Sequence, residues 1–373
     1  MATDPHPLAL NVGGVAVSPG CVLAPMEGIT DRPFRRLIRN LGGCGLTVTE
    51  FVSSEGLSRQ VARIWKMAEI DADEHPVAIQ IYGRDPERMA EAARYCVDLG
   101  ADIVDLNLGC PSKSVTSGSS GSALMKEPAL AGRIFEAVKA AVEIPMTVKM
   151  RLGWSRDAMN APEIARMAQE AGAALVTVHG RTRMDGYRGQ ADWAALQAVK
   201  AAIDIPLLVN GDILTWQDAR RALAASGADG VMVGRGLMRD PWLLRRCAEA
   251  LAGSDDPYTP TLADRRAVQL QYFDLICEDA PHEKAALGKL KKVTGFFARG
   301  IPNGAELRQQ VYHSHDVRSA YDAVNRWFDE MAASDIEDGF TQVYAEPEGR
   351  YKETDSRRFD RTEHVIPPPP TQP

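Results

Sequence analysis

No stretch of the 373-residue chain approaches the roughly 18 consecutive apolar residues that a membrane-crossing helix needs, so the sequence reads as a soluble protein. Its start, MATDPHPLAL, has neither a basic cluster nor a long apolar run, and so gives no sign of a secretory leader. Cysteine is scarce: six residues, at positions 21, 44, 96, 110, 247 and 277, with no CxxC pair. That spacing argues against a disulfide scaffold or a structural zinc site and fits a reducing cytoplasm. Positive charge is not in excess either, with 43 Lys and Arg against 50 Asp and Glu and a net charge of −7. This counts against a generic nucleic-acid binder but leaves room for a local basic surface. At 45% hydrophobic residues, the chain can bury one large core and carry a smaller second unit.

Eight short, nearly continuous apolar runs recur along the first two thirds of the chain: 21–26, 46–51, 76–82, 102–107, 145–150, 174–179, 206–210 and 230–234. Runs of this kind suit parallel strands covered by helices, and amphipathic stretches opened by Pro86 and Pro162 lie between them. An open doubly wound sheet usually has five or six strands, so eight repeats over residues 20–252 predict an α/β fold of the (β/α)8 TIM-barrel type. Residues 1–19, alternating around Gly13-Gly14, predict a hairpin that closes the lower end of the barrel. A linker at 253–257 leads to a small all-helical C-terminal domain, 258–334, whose first helix is capped by Thr261 with Asp264 three residues on. Further helices are expected at about 283–298, 304–312 and 316–332, and the polar, proline-ended tail 335–373 is expected to be disordered.

In such a barrel the chemistry sits at the C-terminal ends of the strands. Strand one ends in Pro25-Met26-Glu27, strand three carries Gln80, strand four runs into Asn107-Leu108-Gly109-Cys110, and strand five carries Lys149 and Arg151. Strand six ends at His179, strand seven at Asn210-Gly211-Asp212, and strand eight at Gly234-Arg235. Glycine turns after strands seven and eight, each expected to open a helix, would present backbone N–H groups to a phosphate. Lys149 at the end of an apolar strand calls for an anion, and Gln80 offers an amide suited to a planar heterocycle. His179 by itself reads more readily as a structural imidazole than as a ligand, and only its company with Lys149 and Gln80 at the mouth turns that reading. Cys110 stands between Gly109 and Pro111, in a turn that would present its thiol at the catalytic face; the other five cysteines read as small buried hydrophobes. Such a thiol can act as general acid or nucleophile, and nothing near it in sequence decides between them.

Leu23–Asp31, Asp105–Lys113, Val178–Thr182 and Asn210–Asp212 together resemble the tRNA-dihydrouridine synthases, in that family's order. Thr49–Val52, Val148–Trp154 and Gly186–Arg188 look most like the bacterial C-type branch, which acts on uridine 16 of the tRNA D-loop. The resemblance implies an FMN-binding barrel that reduces the C5–C6 double bond of a D-loop uridine, with NADPH or NADH as a transient hydride donor. Pro25, Met26, Glu27, Gln80, Lys149, His179, Asn210, Gly211, Asp212, Gly234 and Arg235 would hold FMN, and Cys110 would be the proton donor. Glu50 and Asn107 would contact the flipped-out uridine. The lack of a GxGxxG unit agrees with a nicotinamide that only visits the flavin.

A base inside folded tRNA must be taken out of its stack while the backbone is held. Residues 284–308 contain six basic residues against one acidic, and Lys284, Lys291, Lys292 and Arg299 share one helical face opposite Leu287, Leu290, Val293 and Phe297. Lys113, Arg183 and Arg188 on mouth loops would extend this footprint. The expected partner is therefore tRNA, with no membrane, no metal and no stable protein partner, and the chain is expected to work as a monomer in the cytoplasm. Two rivals remain: an FMN-dependent dehydrogenase of a free pyrimidine, like the dihydroorotate dehydrogenases, and a catalytically silent RNA-binding protein. A free base needs no basic appendage, and a silent site need not keep Cys110, Lys149 and His179 together.

Overall fold

The computed structural model describes residues 8–299 and 301–334; the tail expected at 335–373 lies outside the described residues. Strand β1 (Leu10–Val12) pairs antiparallel with β2 (Val15–Val17). The turn between them places Gly13 at φ +59° and Gly14 at φ +99°, a geometry that glycine adopts without steric cost. Val12 and Val17 are fully buried and pack against Val22, Leu46, Ala78, Ile103, Leu208 and Met232, side chains of the barrel interior. The hairpin thus fills the end of the barrel from which the strands start.

The barrel strands are β3 (Cys21–Leu23), β4 (Thr47–Val48), β6 (Val77–Tyr82), β7 (Ile103–Leu108), β8 (Met146–Arg151), β9 (Ala173–His179), β10 (Leu207–Asn210) and β11 (Gly230–Val233), with a short β5 (Val52–Ser53) extending the second position. Every pairing among them is parallel, in the order β3-β11-β10-β9-β8-β7-β6-β4, and β5 pairs β6. The ring closes where Val22 bridges Leu46, with Leu23 N donating to Leu46 O at 3.0 Å and Gly45 N to Cys21 O at 2.9 Å. The eight apolar runs are therefore the eight positions of a TIM-type barrel. Their near-continuous burial follows from having a packed interior on one face and helices on the other.

Helices form where the sequence pattern places them, as at Pro86–Asp98, capped by Asp85, and Ala161–Glu170. Beyond the barrel, Leu262–Asp279 starts with a capping box between Thr261 and Asp264, followed by Glu283–Phe297, Gly304–Tyr312 and Val317–Ala332. Phe273, Leu290, Leu307, Val311, Val324 and Trp327 bury this unit's core. The core is continuous with the barrel's helical layer: the rings of Phe34, in the helix after β3, and Tyr272 lie 5.7 Å apart. The appendage is thus fixed beside the β3 end of the barrel mouth.

Candidate active site

The C-terminal end of β7 is organised by a chain of buried amides. Thr147 Oγ1 and Gln80 Nε2 donate to the two oxygens of Asp105, at 2.6 and 2.5 Å. Asn107 Nδ2 donates to Gln80 Oε1 at 2.8 Å, and Asn107 Oδ1 accepts from Gly109 N at 3.0 Å and Cys110 N at 2.9 Å. Three strands are thereby tied to the turn that carries Cys110. Asn107, expected to contact a flipped-out base, has its amide oxygen and one amide N–H engaged by protein partners. Its position makes it the residue that holds the thiol's loop, a role that only contacts between strands reveal.

Cys110 is half-buried, and burial pushes its thiol up to about 11; nearby Glu27 adds to the shift, while Arg151 and Lys149 oppose it. At neutral pH the sulfur therefore keeps its proton, which suits an acid better than a thiolate nucleophile. Of the remaining cysteines, Cys21, Cys44, Cys96 and Cys247 are buried as expected; Cys277 is not, being half-exposed in the appendage.

Around this thiol the mouth is rich in positive charge. Lys149 is half-buried and has no hydrogen-bond or ion-pair partner among the described residues; burial, then the neighbouring Arg151, lower it to about 8. Arg151 is spent on three carbonyls: Gly109 at 2.8 Å, Thr182 at 2.9 Å and Gly186 at 2.8 Å. Arg181, only 2% exposed, donates to both oxygens of Asp212 at 2.9 and 2.6 Å and to the carbonyls of Arg188 and Gly189. Asp212 also meets Arg235 at 3.0 Å. Burial and the cations Arg151, Lys149, Arg181 and Arg235 hold His179 well below its ordinary value, so its ring is neutral, and Nδ1 is buried without a partner among the described residues.

The Asp212 carboxylate clamps Arg181 and Arg235 and so aims Arg235. One expectation changes here. The Gly211 turn does not open a helix, since the next one, Trp216–Ser226, starts five residues later under its own Thr215 cap. Gly234 does lead straight into a short 3-10 turn, Arg235–Met238. Both glycines keep the mouth clear: a Cβ on Gly211, at φ +111°, would meet the His179 ring at 3.3 Å, and one on Gly234 would meet Met26 Sδ at 3.3 Å. Asn210 is buried and donates to the Met232 carbonyl at 2.9 Å. Pro25 and Met26 are half-buried and Glu27 is exposed.

On the appendage side, Glu50 is 6% exposed and accepts a hydrogen bond from Gly28 N. Burial and nearby Asp31 push Glu50 up to about 7. Two lysines of the helix Glu283–Phe297 reach the same loop: Lys289 pairs with Asp31, and Lys292 Nζ donates to Gly28 O at 2.8 Å. Lys292, expected on an RNA-facing surface, is exposed and at the same time helps hold the mouth loop. Lys291 is half-buried, 5.5 Å from the Tyr312 ring centre, and Arg299 lies 5.6 Å from that of Phe296. Arg188 is exposed, while the side chain of Lys113 lies outside the described residues. Arg151 and Arg181 were not among the expected ligand contacts; their signal was an arginine ending strand five and another two residues beyond strand six's histidine.

The donor set fits FMN. An unpartnered lysine, an arginine aimed by Asp212, a neutral imidazole whose buried Nδ1 has no partner among the described residues and two glycines without side chains surround one mouth, and together they suit an anionic phosphate and a planar ring. A family model described as Dihydrouridine synthase (Dus) matches residues 22–333. The chain belongs to the dihydrouridine synthase family. Proteins named "Probable tRNA-dihydrouridine synthase" support the same membership. The one from Rickettsia bellii is 40% identical over 322 residues, covering 86% of this chain and 98% of that protein. The one from Rhodobacter capsulatus is 41% identical over 329 residues, covering 88% and 100%. A Xanthomonas axonopodis protein named "tRNA-dihydrouridine synthase B" is 38% identical, covering 87% of this chain and 97% of its own. Among solved structures, a mandelate oxidase mutant with an FMN adduct aligns at TM-score 0.41 and 20% identity, covering 68% of this chain and 76% of that one. As a family member, the protein is an FMN-dependent oxidoreductase that modifies tRNA.

Proposed function

We propose that the protein reduces the C5–C6 double bond of a D-loop uridine in tRNA, with Cys110 supplying the proton at C5 and NADPH, or NADH, supplying the reducing equivalents. The observation that carries this reading is a protonated thiol held by Asn107 at the same mouth as an unpartnered Lys149. When bound, FMN supplies hydride chemistry, which accounts for the hydrogen added at C6. Lys149, Arg235 and His179 hold and orient that group, and Asp212, Arg181 and Arg151 keep the surrounding loops in place. Cys110 keeps its proton at Sγ until a uracil ring lies against it, because burial disfavours the thiolate.

Position 16 is the first to test. It follows from the likeness to the C-type branch, whereas the Xanthomonas relative carries the letter B and the Rickettsia and Rhodobacter relatives carry none. Among the described residues no helix is long and apolar enough to cross a membrane, and we place the enzyme in the cytoplasm with its tRNA. The test is site-resolved mass spectrometry of unmodified tRNA incubated with the protein, FMN and NADPH. Dihydrouridine at one D-loop position in the wild type, and none with Cys110→Ala that still holds FMN, is the expected result. Full turnover by Cys110→Ala would remove the thiol from the mechanism. Absence of dihydrouridine from wild-type, FMN-loaded protein would sink the proposal and favour a free pyrimidine as substrate.

A further inference from the structure

Between the mouth loop and the appendage lies a cavity of about 310 Å³, separate from the Cys110 and Lys149 groups and lined by Phe34, Tyr272, Val293, Phe296 and Phe297. Its size and lining suit a small planar ligand more than a single water. Three features point to an occupant. Tyr272 is 3% exposed and lines the cavity, and its hydroxyl makes no hydrogen bond to the described residues although it is not one of the fully enclosed polar atoms, which leaves it facing the cavity. Gly288, in the middle of the helix Glu283–Phe297, lines the cavity, and a Cβ there would meet nothing within 4 Å, so packing does not explain a residue that weakens the helix. At the rim, Asp31 neutralises Lys289, but Lys292 touches only the Gly28 carbonyl and pairs with no carboxylate among the described residues.

Aromatic rings, one unsatisfied hydroxyl and one uncompensated ammonium match the chemistry of a nucleotide: a planar base with a phosphate. We propose that this cavity receives a second nucleotide of the tRNA, not the uridine that is reduced, with its base among the rings and its phosphate on Lys292. Lys291 of the same helix, half-buried beside Tyr312 and absent from the cavity lining, continues positive charge away from the cavity, as a polynucleotide requires and a free dinucleotide does not. This inference rests on the tRNA reading above. Because Lys292 also holds Gly28, a nucleotide seated here would steady the loop that carries Met26 and Glu27.

Gly288→Leu fills the cavity while favouring the helix, and Tyr272→Phe removes only the hydroxyl. For Gly288→Leu the expected result is a roughly tenfold rise in the Kd for unmodified tRNA, the loss of about one stacked base, with no matching rise in the KM for NADPH in tRNA-free flavin reduction. Tyr272→Phe should raise the tRNA Kd less, in the same direction, and decides the matter if Gly288→Leu melts below wild type. Unchanged tRNA affinity in a folded Gly288→Leu protein would overturn the proposal. So would a raised KM for NADPH with tRNA affinity intact, which would assign the cavity to the dinucleotide. Failure of the wild type to make dihydrouridine would instead strike the enzymatic reading itself.

Discussion

Glu50→Gln should make the protein more stable at pH 8 and nearly leave it alone at pH 5. Burial is the main reason that Glu50 rises from an ordinary value near 4.5 to about 7; Asp31 adds to the rise, and the Gly28 N–H, Lys289 and Arg35 oppose it. A carboxyl with a raised native-state value favours folding when protonated. Its contribution is complete below about 4.5 and is lost as pH climbs through about 7, because above that the native state must hold a buried carboxylate. At about 1.36 kcal/mol for each tenfold change in proton affinity, the full penalty is on the order of 3 kcal/mol at pH 8 and under about 1 kcal/mol at pH 5. Glutamine keeps an oxygen for the Gly28 N–H and carries no charge, so it escapes the penalty. Urea unfolding followed by tryptophan fluorescence, with variant and wild type compared at pH 5, 6, 7 and 8, reads the difference directly. A variant whose advantage does not grow with pH, or one destabilised equally at every pH, would refute the claim that burial of a charge governs this residue.

Three further outcomes follow from the same geometry. FMN affinity of the wild type should fall above about pH 8, as the buried Lys149 ammonium loses its proton, while Lys149→Met should bind weakly with a flat profile; a fluorescence titration over pH 6.5–9.5 in which both fall alike would count against an anion-binding lysine. Iodoacetamide should alkylate Cys110 on the order of a hundredfold more slowly at pH 7 than it does a free thiol near 8.5, and the rate should still be climbing at pH 10; a plateau near pH 8.5 would show an ordinary thiol. Lys291→Glu should weaken tRNA binding and reduce the slope of log Kd against log salt by about one to two, whereas Lys292→Glu should in addition loosen the Gly28 loop and raise the FMN off-rate; identical behaviour of the two would contradict their different contacts, Tyr312 for one and the Gly28 carbonyl for the other.

Position along a strand was legible in the residues; partnership across strands was not. Runs of Val, Ile and Leu set the barrel, and the rule that its chemistry lies at strand ends picked out Gln80, Asn107, Cys110, Lys149 and His179 before any contact was known. What those side chains do depends on neighbours brought together by curvature. Asn107 reaches Gln80, 27 residues away in sequence, and Arg181 reaches Asp212, 31 residues away, and in each case a polar group that looked available for a ligand is consumed. A helical wheel fails in a similar way. It separates the apolar face of Glu283–Phe297 from its lysines, but Lys289 and Lys292 lie at the border of that face, where an aliphatic stem crosses apolar surface and the ammonium finds the mouth loop beyond. The sum of basic residues over 284–308 therefore overstates the charge available to RNA. Lys289 is neutralised by Asp31, whereas Lys292 stays exposed while it holds the loop whose position matters to the flavin. The helix ties the appendage to the mouth loop, and that tie rests on those two lysines.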